Sequence, residues 1–436
     1  MTNILKIILL ILICNSVFAQ NFNAKSLSMA HSITAFGSGT DAMSFNPARL
    51  ALEEKNNEFA FLSIYSGISN SSISVADYNR YFTYEGHHGE AWDANDEKAI
   101  LDLMPTDGLG VSTNLRVNIF TLALNNMGFS VDVIGSGGVK IKSREALGLL
   151  FDLNFTEDFK FEKPEIASGA FYAATKYSFA YAQEIKTDFG LRDLDAFAVA
   201  AKFSYLSGNA VYEIQDSDAS YIRSSSSGMA DEDVGFYRLN LRARRAYPAG
   251  GISAGSGFGL DLSAAAIYDK KWNFAVSLEN LFAFINWNTN AAEVRFFKSD
   301  SVFLTSNDDV DRSVETDTTI EKSSFSTTLP ANLYIAASYQ ILNNLTLTAQ
   351  WRQGLTEDFG NSVIPEISAG AEYKVLSWLP LRGGISVGGR NQFLLGLGTG
   401  LDFEGFKFNI SYAMREALWP TYSNGIYTAI DFRVGL

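Results

Sequence analysis

A period of two restricts this chain more than any other feature of its sequence. Along 196–205, Phe197, Val199, Ala201, Phe203 and Tyr205 share one side of an extended chain, and Lys202 and Ser204 fall on the other. In 345–352, Leu345, Leu347, Ala349 and Trp351 oppose Thr346, Thr348, Gln350 and Arg352. The same alternation runs through 111–119, 406–412 and 426–436. Successive side chains of a strand point to opposite faces, so such segments predict strands with one greasy face and one polar face. That pattern suits a soluble sandwich or a barrel in lipid.

The connections separate the two. Short turns stand at Asn125-Asn126, Asp269-Lys270-Lys271, Asn343-Asn344, around Trp378-Leu379-Pro380 and at Glu404-Gly405. Longer polar segments mostly lie between them, at 76–108, 138–167, 216–234, 288–327, 355–363 and 415–423. Merging segments without a clear turn gives about fourteen strands with short and long connections alternating. Outer-membrane barrels have this asymmetry, with short periplasmic turns and long external loops. We therefore expect an all-β fold, a transmembrane antiparallel β-barrel. An even strand number would put both of its ends on the periplasmic side.

Composition agrees. The chain has 33 Phe, 19 Tyr and 6 Trp but only 8 Pro in 436 residues, a mixture suited to pleated surfaces. Beyond the leader, no apolar run is long enough for a spanning helix. A formal net charge of −14 without a basic stripe excludes nucleic acid as a partner. Lys6, the apolar run Ile7–Cys14 and the ending Val17-Phe18-Ala19 read as a secretory signal over 1–19, cleaved after Ala19. Cys14, the single cysteine, would leave with it, so no disulfide or thiol chemistry is expected.

Residues 21–52 do not alternate. A Gly/Ser/Thr stretch through Gly37, Gly39 and Thr40 leads to Asp41-Ala42 and then to Asn46-Pro47-Ala48-Arg49-Leu50, ahead of the first strand. This segment resembles the N-terminal hatch of the FadL-type long-chain fatty-acid transporters and of related Por-type and uncharacterised outer-membrane barrels of Bacteroidota. The stretches Gly257–Leu262 with Trp272–Asn280, and Gly396–Gly398 with Phe408–Tyr412, carry the likeness further. The resemblance implies a fourteen-stranded barrel over 53–436 with residues 20–52 as a hatch in its lumen. It also implies passive transport of fatty-acid-like hydrophobic molecules. Asn46, Pro47 and Ala48 are the expected entrance turn, since Asn bonds its own backbone and Pro restricts the residue before it.

Alternation assigns Arg116, Asp132, Asp261, Glu279, Arg352, Glu372, Asp431 and Arg433 to the lumen, together with Lys202, Lys374 and Arg382. Their mixed signs argue against a strongly ion-selective pore, and pairing with one another or with the hatch is the expected role. The glycine runs at 255–259 and 396–400 mark close backbone approach, expected from the hatch.

Catalytic readings fail. Gly251-Ile252-Ser253-Ala254-Gly255 has the spacing of a nucleophile elbow, but a strand follows it where a helix is required. His31, His87 and His88 all lie upstream, which leaves the serine without a base. Adjacent His87 and His88 point apart and make a poor metal pair. The acidic run Asn307, Asp308, Asp309, Asp311 lacks the glycine and final glutamate of a calcium loop. No enzyme, cofactor or metal is expected. Short helices are expected over 93–104, capped by Asp93 or Asn95 and ended by Pro105, and over 143–151. The expected partners are outer-membrane lipids and a hydrophobic small-molecule ligand. The alternative to transport is a structural or secretion-associated barrel with a plugged lumen that binds a protein through its outer loops.

Overall fold

The computed structural model describes residues 23–52, 57–88, 92–106, 108–142, 166–186, 190, 192–224, 234–303, 314–403 and 405–436. The leader with its cleavage site, the helix expected over 143–151 and the acidic run 307–311 lie outside the described residues.

Among the described residues, eighteen strands form one antiparallel sheet. The first group is β1 (Glu58–Asn70), β2 (Leu109–Leu124), β3 (Met127–Ile141), β4 (Ala167–Glu184), β5 (Leu194–Ser224) and β6 (Val234–Ala246). The middle group is β7 (Gly255–Tyr268), β8 (Trp272–Trp287), β9 (Ala292–Phe303), β10 (Val314–Glu321), β11 (Phe325–Thr328) and β12 (Asn332–Leu342). The last is β13 (Leu345–Gly354), β14 (Glu366–Leu376), β15 (Leu379–Gly388), β16 (Gln392–Phe403), β17 (Phe406–Arg415) and β18 (Gly425–Gly435).

The sheet closes because β1 pairs with both β2 and β18, Glu58 lying opposite Ala123 on one side and Gly435 on the other. Fourteen strands make the ring. The lower part of β5 pairs with β7, β7 with β8, and β8 with β12, after which neighbours follow in chain order to β18. The upper part of β5 pairs instead with β6, β6 with β9, and β9 with β10. These make a crown above the ring. β11 continues β12 beyond a break at Leu329-Pro330-Ala331, where proline cannot supply a ladder donor. A strand needs about 9–11 residues to cross a bilayer. The 31 residues of β5 therefore exceed one crossing threefold.

Two of the expected loops are corrected by this crown. The segments 216–234 and 288–327 carry much of β5, β9, β10 and β11. The third, 138–167, begins inside β3. At the turn end, Asp269 and Lys270 adopt the left-handed backbone of tight hairpins. Aromatic pairs collect beside these turns, Trp272 against Tyr339 at 4.4 Å and Trp378 against Phe403 at 5.7 Å. The opposite end has one short connection of its own, Gly389-Arg390-Asn391 between β15 and β16. The first long loop folds into helices α3 (Val75–Phe82), α4 (Tyr84–His87) and α5 (Ala94–Leu103). Asp93 caps α5 by accepting from the backbone N–H of Asn95 and Asp96, as its sequence predicts.

The faces follow the alternation. Phe203, Leu347 and Ile410 are exposed on the outside, while their neighbours Ser204, Thr348 and Asn409 are buried inside. A greasy exterior around a polar interior is the surface a bilayer requires.

Candidate functional site

Residues 23–52 occupy the polar interior. Helix α1 (Ala24–Ser28) packs on β15, β16, β17 and β18, and helix α2 (Thr40–Phe45) on β1, β2 and β3. A 3₁₀ turn, Pro47–Ala51, packs on β3, β4, β5 and β7. The segment takes no part in the sheet and is fastened by side chains. Ser32 Oγ lies 2.6 Å from Thr348 Oγ1, Ser338 Oγ donates to the Ala35 carbonyl at 3.1 Å, and the Ala48 N–H donates to Ser263 Oγ at 3.1 Å. The wall makes room for it with glycine: a Cβ at Gly384 or Gly396 would run into the backbone of Met29 or Leu27. Gly255 and Gly257 differ from expectation, since they clear the backbone of neighbouring β8, not the hatch.

The expected entrance turn sits on the wall itself. Asn46 is fully buried with an ordinary extended backbone (φ −151, ψ 90), so its side chain, not unusual torsion, explains it. Its Oδ1 accepts from the Ala48 N–H, and its Nδ2 donates to the Ala264 and Val276 carbonyls of β7 and β8. Pro47 starts the 3₁₀ turn, where a missing N–H costs nothing.

All eight expected lumen residues are buried, at 0–6% exposure, and fall into three groups. Arg116 and Asp132 pair within the wall at 2.9 Å, braced by Asn118 and Ser130. The second group clasps the N-terminal segment. Glu372 accepts from Arg382, which donates to Asn409, which donates to Asp431 at 2.7 Å. Asp431 pairs with Arg433 at 3.0 Å, and Arg433 with Asp41 of α2 at 2.7 Å. Asp431 also accepts from the Ala24 N–H, while Glu58 accepts from Thr40 and pairs with Lys407. Lys374 stands apart and half-exposed, beside Asp402.

The third group lies across the lumen. Asp261 takes Lys202 at 2.8 Å and Lys176 at 3.8 Å, and accepts from the Asn280 N–H. Tyr334 donates to Glu279, and Arg352 donates to Asn332 and Asn361. Lys202, Asp261, Glu279, Tyr334 and Arg352, with His31, Thr34 and Phe45, line a cavity of about 20 Å³, room for a water or two.

Burial raises the Asp41 carboxyl, but Arg433, Lys25 and the Asn23 amide outweigh it and hold it near 2. Burial, reinforced by Arg352, lowers His31 to about 3, so the imidazole is neutral. Burial also lowers Lys25, with Glu372 and Asp41 opposing. Asp41, Lys25 and Glu58 escape a reading by alternation, because Asp41 and Lys25 sit in a segment with no period. The only signal was the Asp-Ala pair within the hatch-like motif.

A closed ring of fourteen strands, greasy outside and charged inside, with its N-terminal segment bonded to the inner wall, defines a transmembrane β-barrel of the FadL transporter fold. The chain belongs to the family of unknown function DUF5723, whose profile matches residues 53–412. No curated protein matches it. Among solved structures it is similar to the P. putida toluene transporter TodX (14% identity, TM-score 0.51). It is also similar to a Pseudomonas aeruginosa FadL homologue (9%, 0.51) and to the Ralstonia pickettii toluene transporter TbuX (13%, 0.50). Each comparison covers 96% of this chain and 99% of the other.

Proposed function

We propose that this protein is an outer-membrane channel of a Gram-negative bacterium that passes small hydrophobic molecules passively, with residues 20–52 as its hatch. The leader 1–19 would direct export, outer-membrane lipids would surround the barrel, and both ends of the ring would face the periplasm. The observation that carries the reading is how residues 23–52 are held. They fill the lumen through side-chain bonds and contribute no ladder to the sheet, so they can shift without opening the wall. The shared fold with two toluene transporters supports a hydrophobic cargo, and the absence of any acid–base set among the sequence motifs supports a non-enzyme. Asn46, Pro47 and Ala48 anchor the hatch, and the eight buried charges pair with one another, with wall neighbours or with the hatch rather than with a ligand.

A scaffold or secretion-associated barrel is the second reading, favoured by the crown. Its strands β6 and β9 carry Arg238, Arg242, Glu293 and Arg295 and would offer a partner protein a charged edge beyond the membrane. Uptake of toluene and of a long-chain fatty acid decides between them. A strain lacking the gene should take up at least one more slowly, and the wild-type gene should restore it. Equal uptake of both with and without the gene ends the channel reading in favour of the crown.

A further inference from the structure

The lumen changes character beneath the long-loop end. Most inward positions are polar, but where β3, β4, β5 and β8 approach they carry Ile134, Tyr172, Leu206, Ile285 and Trp287, each 5% exposed or less. One ring that is not part of the wall fills the space among them. Phe359 comes from the connection between β13 and β14, which folds inward to reach β3 and β4. It is 5% exposed and meets Tyr172 edge-on, with centroids 4.7 Å apart.

Phe359 is held there against its own backbone. Its φ of 47° and ψ of 37° are left-handed, which a side-chain-bearing residue adopts at a cost. Burial of the ring opposes that cost. Ser136 Oγ donates to the Phe359 carbonyl at 2.8 Å, and Arg390 Nη1 donates to the Gly360 carbonyl at 2.7 Å. Above this loop opens a vestibule of about 550 Å³, a volume suited to a small molecule, with Phe359, Gly360 and Arg390 in its lining. Beside the seat, the buried Tyr172 hydroxyl has no hydrogen-bond partner among the described residues. An orphaned buried hydroxyl is costly and asks for an acceptor.

We propose that the seat of Phe359 is a binding site for a ring-sized apolar molecule that carries one hydrogen-bond acceptor. The molecule enters from the vestibule, displaces the Phe359 ring and accepts from the Tyr172 hydroxyl. The exchange replaces one buried ring by another, releases the left-handed backbone and satisfies the hydroxyl. A long acyl chain is a poor occupant, because the lumen beyond the seat is filled by the hatch and lined by the charged group around Asp261. This site rests on the channel reading and narrows its cargo.

Equilibrium dialysis of the full-length protein in detergent, with labelled acetophenone as probe and ethylbenzene as its counterpart without an acceptor, tests the site. Phe359→Ala removes the competing ring and should bind acetophenone at least tenfold more tightly than wild type. Adding Tyr172→Phe should abolish the preference for acetophenone over ethylbenzene. Unchanged or weaker binding by a Phe359→Ala barrel that still runs as a heat-resistant band overturns the site, and a preference that survives Tyr172→Phe overturns the role of the hydroxyl. If Phe359→Ala yields no such band, Phe359→Leu is read the same way, with about a threefold gain expected and no gain overturning the site. Binding in detergent needs no transport, so tight binding with unchanged cellular uptake sinks only the channel, and the reverse result sinks only the site.

Discussion

Asp41 is where a single residue decides whether the lumen segment stays in place. It faces Arg433 at 2.7 Å and Lys25 at 4.0 Å with 1% of its side chain exposed. Asp41→Asn leaves two buried cations short of a counter-ion, and breaking such a pair costs about 3–5 kcal/mol. That loss should fall on docking of residues 23–52, not on the strands, and limited proteolysis should cut the segment while the heat-resistant barrel persists. Acid acts through two groups with the same sign. Asp41 is held near 2 against an ordinary 3.8, so its contribution is complete above about pH 4 and is lost as pH falls through 2. His31 is held near 3 against 6.5, so below pH 6.5 the released segment takes a proton that the docked one refuses. Docking should weaken by about 1.4 kcal/mol per pH unit between 6.5 and 3. Hydrogen exchange of 23–52, corrected for intrinsic rates, should be faster at pH 5 than at pH 7, and His31→Gln should flatten the difference. Identical corrected exchange in the wild type at both values would remove His31 from the account. Alternation placed Asp431 and Arg433 on the inner face, but Arg433's partner Asp41 was beyond its reach, because a segment without a period assigns no faces.

At the scale of strands, the sequence was most readable where one face meets lipid and the other meets the lumen. Leu345–Gly354 shows this, and β13 begins and faces as its alternation says. The same signal disappears in 216–224, Asp216-Ser217-Asp218-Ala219-Ser220 and onward, which reads as a loop yet pairs residue by residue with β6. Once a strand rises beyond the bilayer both faces can be polar, and period two carries no contrast. The break in β8 was equally hidden: Asn280 and Phe282 are left-handed, and Asn280 mends the gap by donating to the Pro330 carbonyl. Neighbouring positions on β13 should respond differently to the same substitution. Leu347→Arg puts a charge against lipid and should cost about 2–4 kcal/mol near the midplane, read as reduced barrel assembly. Thr348→Arg meets Ser32 of the lumen segment instead, and should leave assembly intact while exposing residues 23–52 to protease. Equal loss of assembly at both positions would mean that the register is off by one. Gly396→Ala should release the segment in the same way, since overpacking costs about 1–3 kcal/mol and the Leu27 backbone is what it meets.

Among the described residues the lumen is obstructed twice, from opposite ends and by unrelated means. Residues 23–52 fill the lower lumen through polar contacts, and the inward loop carrying Phe359 occupies the level above with an apolar cluster. Neither closure belongs to the ladder that joins β1 to β18, so neither should be needed for the ring to form. Deleting residues 22–45 should therefore give a heat-resistant barrel, as should Phe359→Ala. Two barriers in series also predict how the leaks combine. With either barrier standing, the path remains interrupted, so each change alone should raise the conductance of planar bilayers only slightly. Removing both should open a continuous polar path, and the double variant should conduct far more than the sum of the two increments. Liposome swelling with a small sugar should rank the variants in the same order. If the deletion alone already conducts as well as the double variant, the Phe359 loop is no barrier and the lumen has a single closure at its N-terminal segment.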